Sequence, residues 1–305
     1  MAIETLPFNL GIHPINWVGE DVQEHGDFYT YEQVMSEISL LGFKGTEVSR
    51  KFPKDPDDLQ AALDKYNLEI TTQWKSVFFS DRNRHKEELK AYQEHVNFLK
   101  LFGCKIVSTA EIGGSMLNQD PTRKEDEIYV ERLNDDQWKY LTEGLNQAGT
   151  IAKDNGMDLV YHHHAGTVVE QPDEIQRLME MTDPNVVSML YDTGHGYYGN
   201  NDPVALLDKY FNRIKYVHLK DVRQEVLDQA REEHYSIRTS LRNGIFTVPG
   251  SGCLDFEPIF RMLIEKGYNR WALIEGEQNP EVYNPHEYAK ESLKYLRGII
   301  DNIID

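Results

Sequence analysis

Eight short apolar runs, separated by stretches with helical periodicity, constrain this 305-residue chain more than any other feature. The runs lie near Phe8–His13, Gly45–Ser49, Ile70–Phe79, Lys105–Ala110, Asp158–His164, Val187–Asp192, Tyr216–Lys220 and Trp271–Glu275. Between them, Tyr31–Leu41, Glu87–Phe102, Asn134–Asn155, Pro203–Ile214 and His286–Ile304 place apolar residues along one helical face. The punctuation agrees. Asp55-Pro56-Asp57-Asp58 opens a helix, with proline early and acids in the first turn, and Gly42, Gly103, Gly156 and Gly267 follow helical runs where a glycine cap belongs. Alternating strands and helices imply a parallel sheet with right-handed crossovers. Eight such units predict an α/β fold, a closed (β/α)8 TIM barrel, with the chain 1–305 as a single domain. An open doubly wound sheet is the alternative. It calls for a Gly-rich dinucleotide fingerprint after the first strand, where this chain has Gly11-Ile-His-Pro-Ile-Asn-Trp17. Two charged insertions, about 115–136 and 224–243, both follow strands and so belong to the C-terminal face of the barrel, where long loops shape a site or an oligomer contact.

Charge narrows the partners. With 32 Lys+Arg against 51 Asp+Glu, the net charge is −19. Nucleic acid and anionic membranes both require a basic footprint, so neither is an expected partner. The balance suits a neutral small molecule, or a cation held by carboxylates. Two cysteines, Cys104 and Cys253, suggest a reducing compartment. Met1-Ala-Ile-Glu-Thr lacks the basic and apolar regions of a secretory signal, and no window approaches the roughly 18 apolar residues of a membrane span. The expected location is the cytoplasm. The apolar C-terminal helix is expected to pack on the barrel, and a homo-oligomer is compatible with the sequence.

The strand ends carry the chemistry. Strand five ends Leu159-Val-Tyr-His-His-His164, strand six Met189-Leu-Tyr-Asp-Thr-Gly-His195, strand seven reads Lys215-Tyr-Val-His-Leu-Lys-Asp221, and strand eight Trp271-Ala-Leu-Ile-Glu-Gly-Glu277. Five of the chain's 11 histidines fall in these windows. Side chains alternate along a strand, so on strand seven Tyr216, His218 and Lys220 share one side while Val217 and Leu219 face the helices. The same parity places His162, Asp192, His218 and Glu275 inward at the ends of four consecutive strands. Two imidazoles and two carboxylates converging there predict a divalent metal site, since a cation offsets the cost of burying the acids. Nitrogen and oxygen donors suit Mn²⁺, Co²⁺, Fe²⁺ or Zn²⁺. His164 or Glu277 is the alternative ligand on its strand, and His163 faces the helices as a structural residue.

Other polar residues point at the same face: His13 and Asn16 after strand one, Glu47 ending strand two, Lys75 beside Trp74 on strand three, and Glu111 ending strand four. His195, Lys220 and Arg223 follow the ligand candidates, and Phe246-Thr-Val-Pro-Gly-Ser-Gly252 is a loop able to close over them.

Together these motifs resemble the xylose-isomerase-like barrel superfamily, which includes sugar isomerases, sugar epimerases and endonuclease IV. Asp192-Thr-Gly-His195, His218-Leu-Lys-Asp221 and Glu275 carry the superfamily resemblance. Gly11–Trp17, Tyr161-His-His-His-Ala-Gly-Thr167, Asp192–Gly199, His218–Arg223, Phe246–Gly250 and Glu275-Gly-Glu-Gln278 narrow it to the inosose dehydratase family of inositol catabolism. The motifs span nearly the whole chain in order, and the triple histidine with Gly-Thr is the most specific. The resemblance implies a cytoplasmic hydro-lyase that converts a cyclic polyol ketone, 2-keto-myo-inositol, to a trihydroxycyclohexane-1,2-dione with Mn²⁺ or Co²⁺. It also implies glutathione dependence, to which no residue here is assigned. Most of the superfamily has Glu where this chain has His162, which makes the expected site less anionic. Such a reaction needs a base for the proton next to the ketone and an acid for the departing hydroxyl. Glu111, His195, Lys220 and His164 are the candidates, with His13, Asn16, Trp17, Arg223 and Lys75 as substrate contacts. A sugar isomerase or epimerase of the same superfamily is the alternative reading.

Overall fold

The computed structural model describes residues 6–115 and 130–304. Most of the insertion expected at about 115–136 therefore lies outside the described residues. Seven parallel strands form one curved sheet in the order β1 (Asn9–Ile12), β11 (Trp271–Ile274), β8 (Ile214–Leu219), β7 (Val187–Asp192), β6 (Asp158–His162), β5 (Ile106–Glu111) and β4 (Trp74–Val77). A separate pair, β2 (Gly45–Thr46) and β3 (Glu69–Ile70), fills the gap between β4 and β1. This is the expected xylose isomerase-like barrel.

The third strand, expected as one run from Ile70 to Phe79, is broken into β3 and β4. Threonine hydroxyls bridge the break. Thr46 Oγ1 donates to Ile12 O (2.9 Å) and Thr72 Oγ1 to Ile106 O (2.9 Å), so hydroxyls join this pair to its neighbours, while Thr71 Oγ1 reinforces the Thr71 amide on Thr46 O (3.0 Å).

The helices follow their caps. Asp55 accepts from the amides of Asp57 and Asp58 to start α2 (Pro56–Tyr66), and Asn67 ends it in the left-handed region at φ 53°. Thr30 with Gln33, and Asn134 with Gln137, form capping boxes for α1 (Tyr31–Leu40) and α4 (Asp135–Asp154). The helix expected through Ile214 stops at Tyr210, because Ile214 is already the first residue of β8. The 224–243 insertion folds as α8 (Gln224–Glu232) and α9 (Ile237–Arg242). The last helix, α11 (Pro285–Ile304), buries Leu293, Leu296, Ile299 and Ile300 in the main core, so it packs on the barrel. No helix among the described residues is long and apolar enough to cross a membrane.

Inside the barrel, Ile106, Val160, Leu190, Tyr216 and Leu273 form a plug. Two residues further along four of those strands come His162, Asp192, His218 and Glu275, all buried. An apolar floor thus carries a polar layer directly above it, set by strand alternation alone.

Candidate active site

Donor atoms of His162, Asp192 and His218 converge above the plug, and Glu275 joins them through His218. His162 Nε2 lies 3.4 Å from Asp192 Oδ2, Asp192 Oδ2 lies 3.5 Å from His218 Nδ1, and His218 Nδ1 lies 2.7 Å from Glu275 Oε2. All four atoms are buried without a hydrogen-bond partner. Donors at about 2.1 Å from one ion lie about 3.0–3.4 Å apart, so two of the three spacings match ligands of a single cation and the third is shorter. Buried polar atoms rarely stay unpaired; His218 Nδ1 and Glu275 Oε2 face each other at 2.7 Å, and a cation would give His162 Nε2 and Asp192 Oδ2 the partner they lack. The donor set therefore fits a divalent metal.

The surrounding charges hold the carboxylates ionised and leave a proton on His218 that a bound cation would have to displace. Burial opposes a proton on His218, but Glu275 and Glu47 outweigh it and raise its pKa well above the usual imidazole value. Burial also works against ionised Asp192, yet Lys220 and the nearby histidines hold it well below the carboxylate range. Glu47 fixes the His218 ring. Its Oε1 sits 2.7 Å from Nε2, so Nε2–H donates to the carboxylate and Nδ1 turns inward.

A second cluster adjoins the first. His164, His195 and Glu277 also present donor atoms close to one another. Lys220 stands among them, fully buried, with Nζ 2.6 Å from Glu277 Oε2, 2.8 Å from His195 Nε2 and 3.3 Å from Glu275 Oε1. The His164 and His195 rings stack at 3.6 Å. His164 Nδ1–H donates to Ala165 O (2.8 Å), which leaves Nε2 as an acceptor. Glu277 has φ 41°, an uncommon value for a residue with a Cβ. Gly276 before it is required, since a Cβ there would meet Asn16 Oδ1 at 2.7 Å and Val248 Cγ1 at 2.9 Å. Phe246 closes the back of the cluster, 4.8 Å from the His195 ring and 4.7 Å from Lys220 Nζ. Asp221 holds the following loop by accepting the amides of Val222, Gly250, Gly252 and Leu254.

A cavity of about 250 Å³ opens onto both clusters. His13, Glu47, His162, His164, His218, Glu275 and Glu277 line it from the barrel, with Trp74 across from them. The structure brings these expected residues together, leaves Asp192, His195 and Lys220 next to them but outside the lining, and moves five others elsewhere. Glu111 is not in the cavity. On β5 the plug residue Ile106 faces in, so Glu111 faces the helices, and it accepts from Ser80 N (3.2 Å), Ser80 Oγ (2.9 Å) and Gly113 N (2.9 Å). Lys75 alternates with the inward Trp74 and lies near His95 of α3 (His85–Leu101). Trp17 is a core residue that donates to Glu37 Oε2 (2.7 Å). Asn16 is fully engaged with backbone: it donates to His13 O and Ile274 O and accepts from Gly276 N. Arg223 binds Gly244 O, Phe246 O, Thr247 Oγ1 and Gln278 Oε1, and stacks 4.0 Å from Tyr283. Asn16 and Arg223 thus brace the walls of the site. His195 and Lys220 sit behind His164, outside the cavity lining.

Sequence reading missed Asp21 and Glu20, which line the cavity from the loop after β1. The one available signal was their place on the C-terminal face, and an acid in a loop carries little weight alone.

Comparison with known proteins adds a consistent result. The family model described as xylose isomerase-like TIM barrel matches residues 35–299. An inosose dehydratase from Geobacillus kaustophilus (strain HTA426) is 49% identical over 98% of this chain and 96% of its own length. One from Clostridium beijerinckii (strain ATCC 51743 / NCIMB 8052) is 45% identical over 97% and 98%. Among solved structures, a probable 3-DHS dehydratase from Bacillus anthracis superposes with TM-score 0.69 at 12% identity, covering 95% of this chain and 98% of that one. A Mycobacterium smegmatis barrel in complex with magnesium superposes with TM-score 0.68 at 14% identity over all of both chains. At such identities these two structures speak for the fold alone.

Proposed function

This chain belongs to the xylose isomerase-like TIM barrel family and, within it, to the inosose dehydratases; from that premise we propose that it removes water from 2-keto-myo-inositol (scyllo-inosose) to give a trihydroxycyclohexane-1,2-dione. It is a hydro-lyase of inositol-related chemistry. On this reading the chain 1–305 works as one barrel domain in the cytoplasm, where its thiols, Cys104 and Cys253, remain free. The observation that carries the proposal is the set of donor atoms on His162, Asp192, His218 and Glu275, of which His162, His218 and Glu275 line a cavity that also exposes His164.

Those four residues would hold Mn²⁺ or Co²⁺. When bound, the ion would polarise the ketone and acidify the neighbouring C–H. His164 Nε2 faces the same cavity with its lone pair free, and we assign it the proton at that carbon. Its ring is held by Ala165 O on one side and by the stacked His195 on the other. Lys220 and His195 fix the wall behind, and Glu47 and His13 fix His218. Trp74 lines the cavity beside them, its ring 5.4 Å from that of His162 and 5.5 Å from that of His164.

The test uses chelator-stripped protein given Mn²⁺ or Co²⁺ and scyllo-inosose, with products followed by mass spectrometry. Metal-dependent loss of one water is the expected outcome. Solvent deuterium entering the sugar without loss of water would instead identify an isomerase or epimerase. Neither signal, with metal bound, would show that the substrate is another.

A further inference from the structure

A ring polyol ketone has hydroxyls beyond its reacting carbons, and one side of the cavity is shaped to read them. Around the barrel, β1 and β2 stand across from β6 and β7, which carry His162 and Asp192. The loops after β1 and β2 contribute Glu20, Asp21, Val48 and Arg50 to the cavity lining. A six-membered ring whose ketone lies toward His162 therefore presents the hydroxyl opposite the ketone to these two loops. That hydroxyl takes no part in the loss of water, so the group that holds it governs the choice of substrate and leaves the chemistry alone.

Glu20 is held for such a contact. Its Oε1 accepts from the Arg50 amide (3.0 Å) and from Ser49 Oγ (3.3 Å), both on the loop after β2. Its Oε2 has no hydrogen-bond partner among the described residues. One oxygen pins the carboxylate and the other is left as an acceptor, so a hydroxyl can be bound with little ordering cost. The loop that carries Glu20 is fixed as well. Arg50 donates from Nε to Gly19 O (3.0 Å), from Nη2 to Gln23 O (2.7 Å) and from Nη1 to Asp27 Oδ1 (2.9 Å). Arg50 is the one arginine or lysine among the described residues lining the cavity, and each of its guanidinium nitrogens is engaged in holding this loop. A phosphate or carboxylate on the substrate would meet Glu20 and Asp21 with no free arginine or lysine beside them, whereas a hydroxyl can donate to Glu20.

We propose that Glu20 is a specificity-determining residue: its Oε2 accepts a hydrogen bond from the substrate hydroxyl opposite the ketone, and the site thereby selects an uncharged ring polyol. The inference rests on the dehydration reading above.

The test compares scyllo-inosose with the analogue that lacks that one hydroxyl, in metal-loaded wild type and in Glu20→Ala. Wild type is expected to lose roughly 10–100-fold in kcat/KM on the analogue, the worth of a hydrogen bond to a charged group. Glu20→Ala should lose as much on scyllo-inosose itself, through KM with kcat changing far less, and should no longer tell the two substrates apart. Glu20→Gln keeps an acceptor for the Arg50 amide and should recover part of the KM. Metal content and thermal unfolding report whether each variant folds. If Glu20→Ala does not fold, Glu20→Gln carries the comparison, with discrimination between the two substrates reduced about threefold or more. A folded variant that discriminates as wild type does would overturn the proposal, and so would a fall in kcat with KM unchanged. Uptake of solvent deuterium is followed in the same samples. Wild type that takes up deuterium with this discrimination but loses no water would overturn dehydration and leave Glu20 in its role. Water loss without the discrimination would overturn the role of Glu20 alone.

Discussion

Two clusters of histidine and carboxylate stand side by side at the mouth of this barrel, and they satisfy their charge in different ways. The cluster of His164, His195 and Glu277 contains Lys220, whose ammonium already contacts Glu277 and His195. The cluster of His162, Asp192, His218 and Glu275 directs four unpaired donor atoms at one another and has no ammonium at its centre. Burial is nearly complete in both, so desolvation alone does not separate them. The difference lies in chain position. Lys220 follows His218 by two residues on the same strand face and reaches sideways to Glu277, so its ammonium sits closest to the second cluster and meets the first only at its edge, 3.3 Å from Glu275 Oε1 and 3.9 Å from Asp192 Oδ2.

Breaking the metal cluster should have the largest effect. Glu275→Ala is expected to lose bound Mn²⁺ or Co²⁺ and to lower dehydration by roughly 10³-fold, about 4 kcal/mol of barrier. Metal analysis with the mass-spectrometric assay checks both, and turnover in metal-free Glu275→Ala would refute the assignment. Lys220→Ala should convert the second cluster into a copy of the first. It leaves buried carboxylates without their partner, so a loss of about 3–5 kcal/mol in urea unfolding is expected. Excess Mn²⁺ should restore part of that stability and bind as a second equivalent. A variant that keeps wild-type stability and one equivalent would show that Lys220 does not substitute for a metal. Glu47→Ala acts one step out. Freed of its carboxylate, His218 should hold metal about 10–100-fold more weakly, measured by competition with a chelator.

The convergence of His162, Asp192, His218 and Glu275 was legible in the sequence because it obeys one simple rule. The four residues lie on or one position past regular strands, each two positions beyond an apolar plug residue, so parity aims them inward. Residues beyond the strands escaped that rule. Asp21 reaches the cavity from a loop, and its position depends on Arg50, far away in sequence. Arg223 and Asn16 looked like substrate contacts because they are polar and near strand ends, yet the backbone groups around them take up their hydrogen bonds. The third strand read as continuous because apolar residues stand at both ends of Ile70–Phe79 and at Trp74, while the polar Thr71-Thr72-Gln73 between them is where the strand breaks.

Glu111 offers the finest test of inward against outward, because it ends a barrel strand as the ligands do but on the opposite face. Burial pushes its pKa up to about 8 from the ordinary 4.5, despite hydrogen bonds from Ser80 and Gly113. A carboxyl raised in the folded state favours folding fully below the unfolded value, and that contribution is lost as the pH climbs through the folded value. Stability should therefore decline between about pH 4.5 and pH 8 by an amount that Glu111→Gln removes. The amide turns a donor toward amides that need an acceptor, so the variant should also lose about 1–3 kcal/mol at low pH. Urea unfolding of both proteins at several pH values measures the slope and the offset. Turnover per folded, metal-loaded molecule should stay within about twofold of wild type, as for substitutions away from a site. A collapse in turnover with metal and fold intact would place Glu111 back among the reacting groups, and strand parity would then have failed at β5.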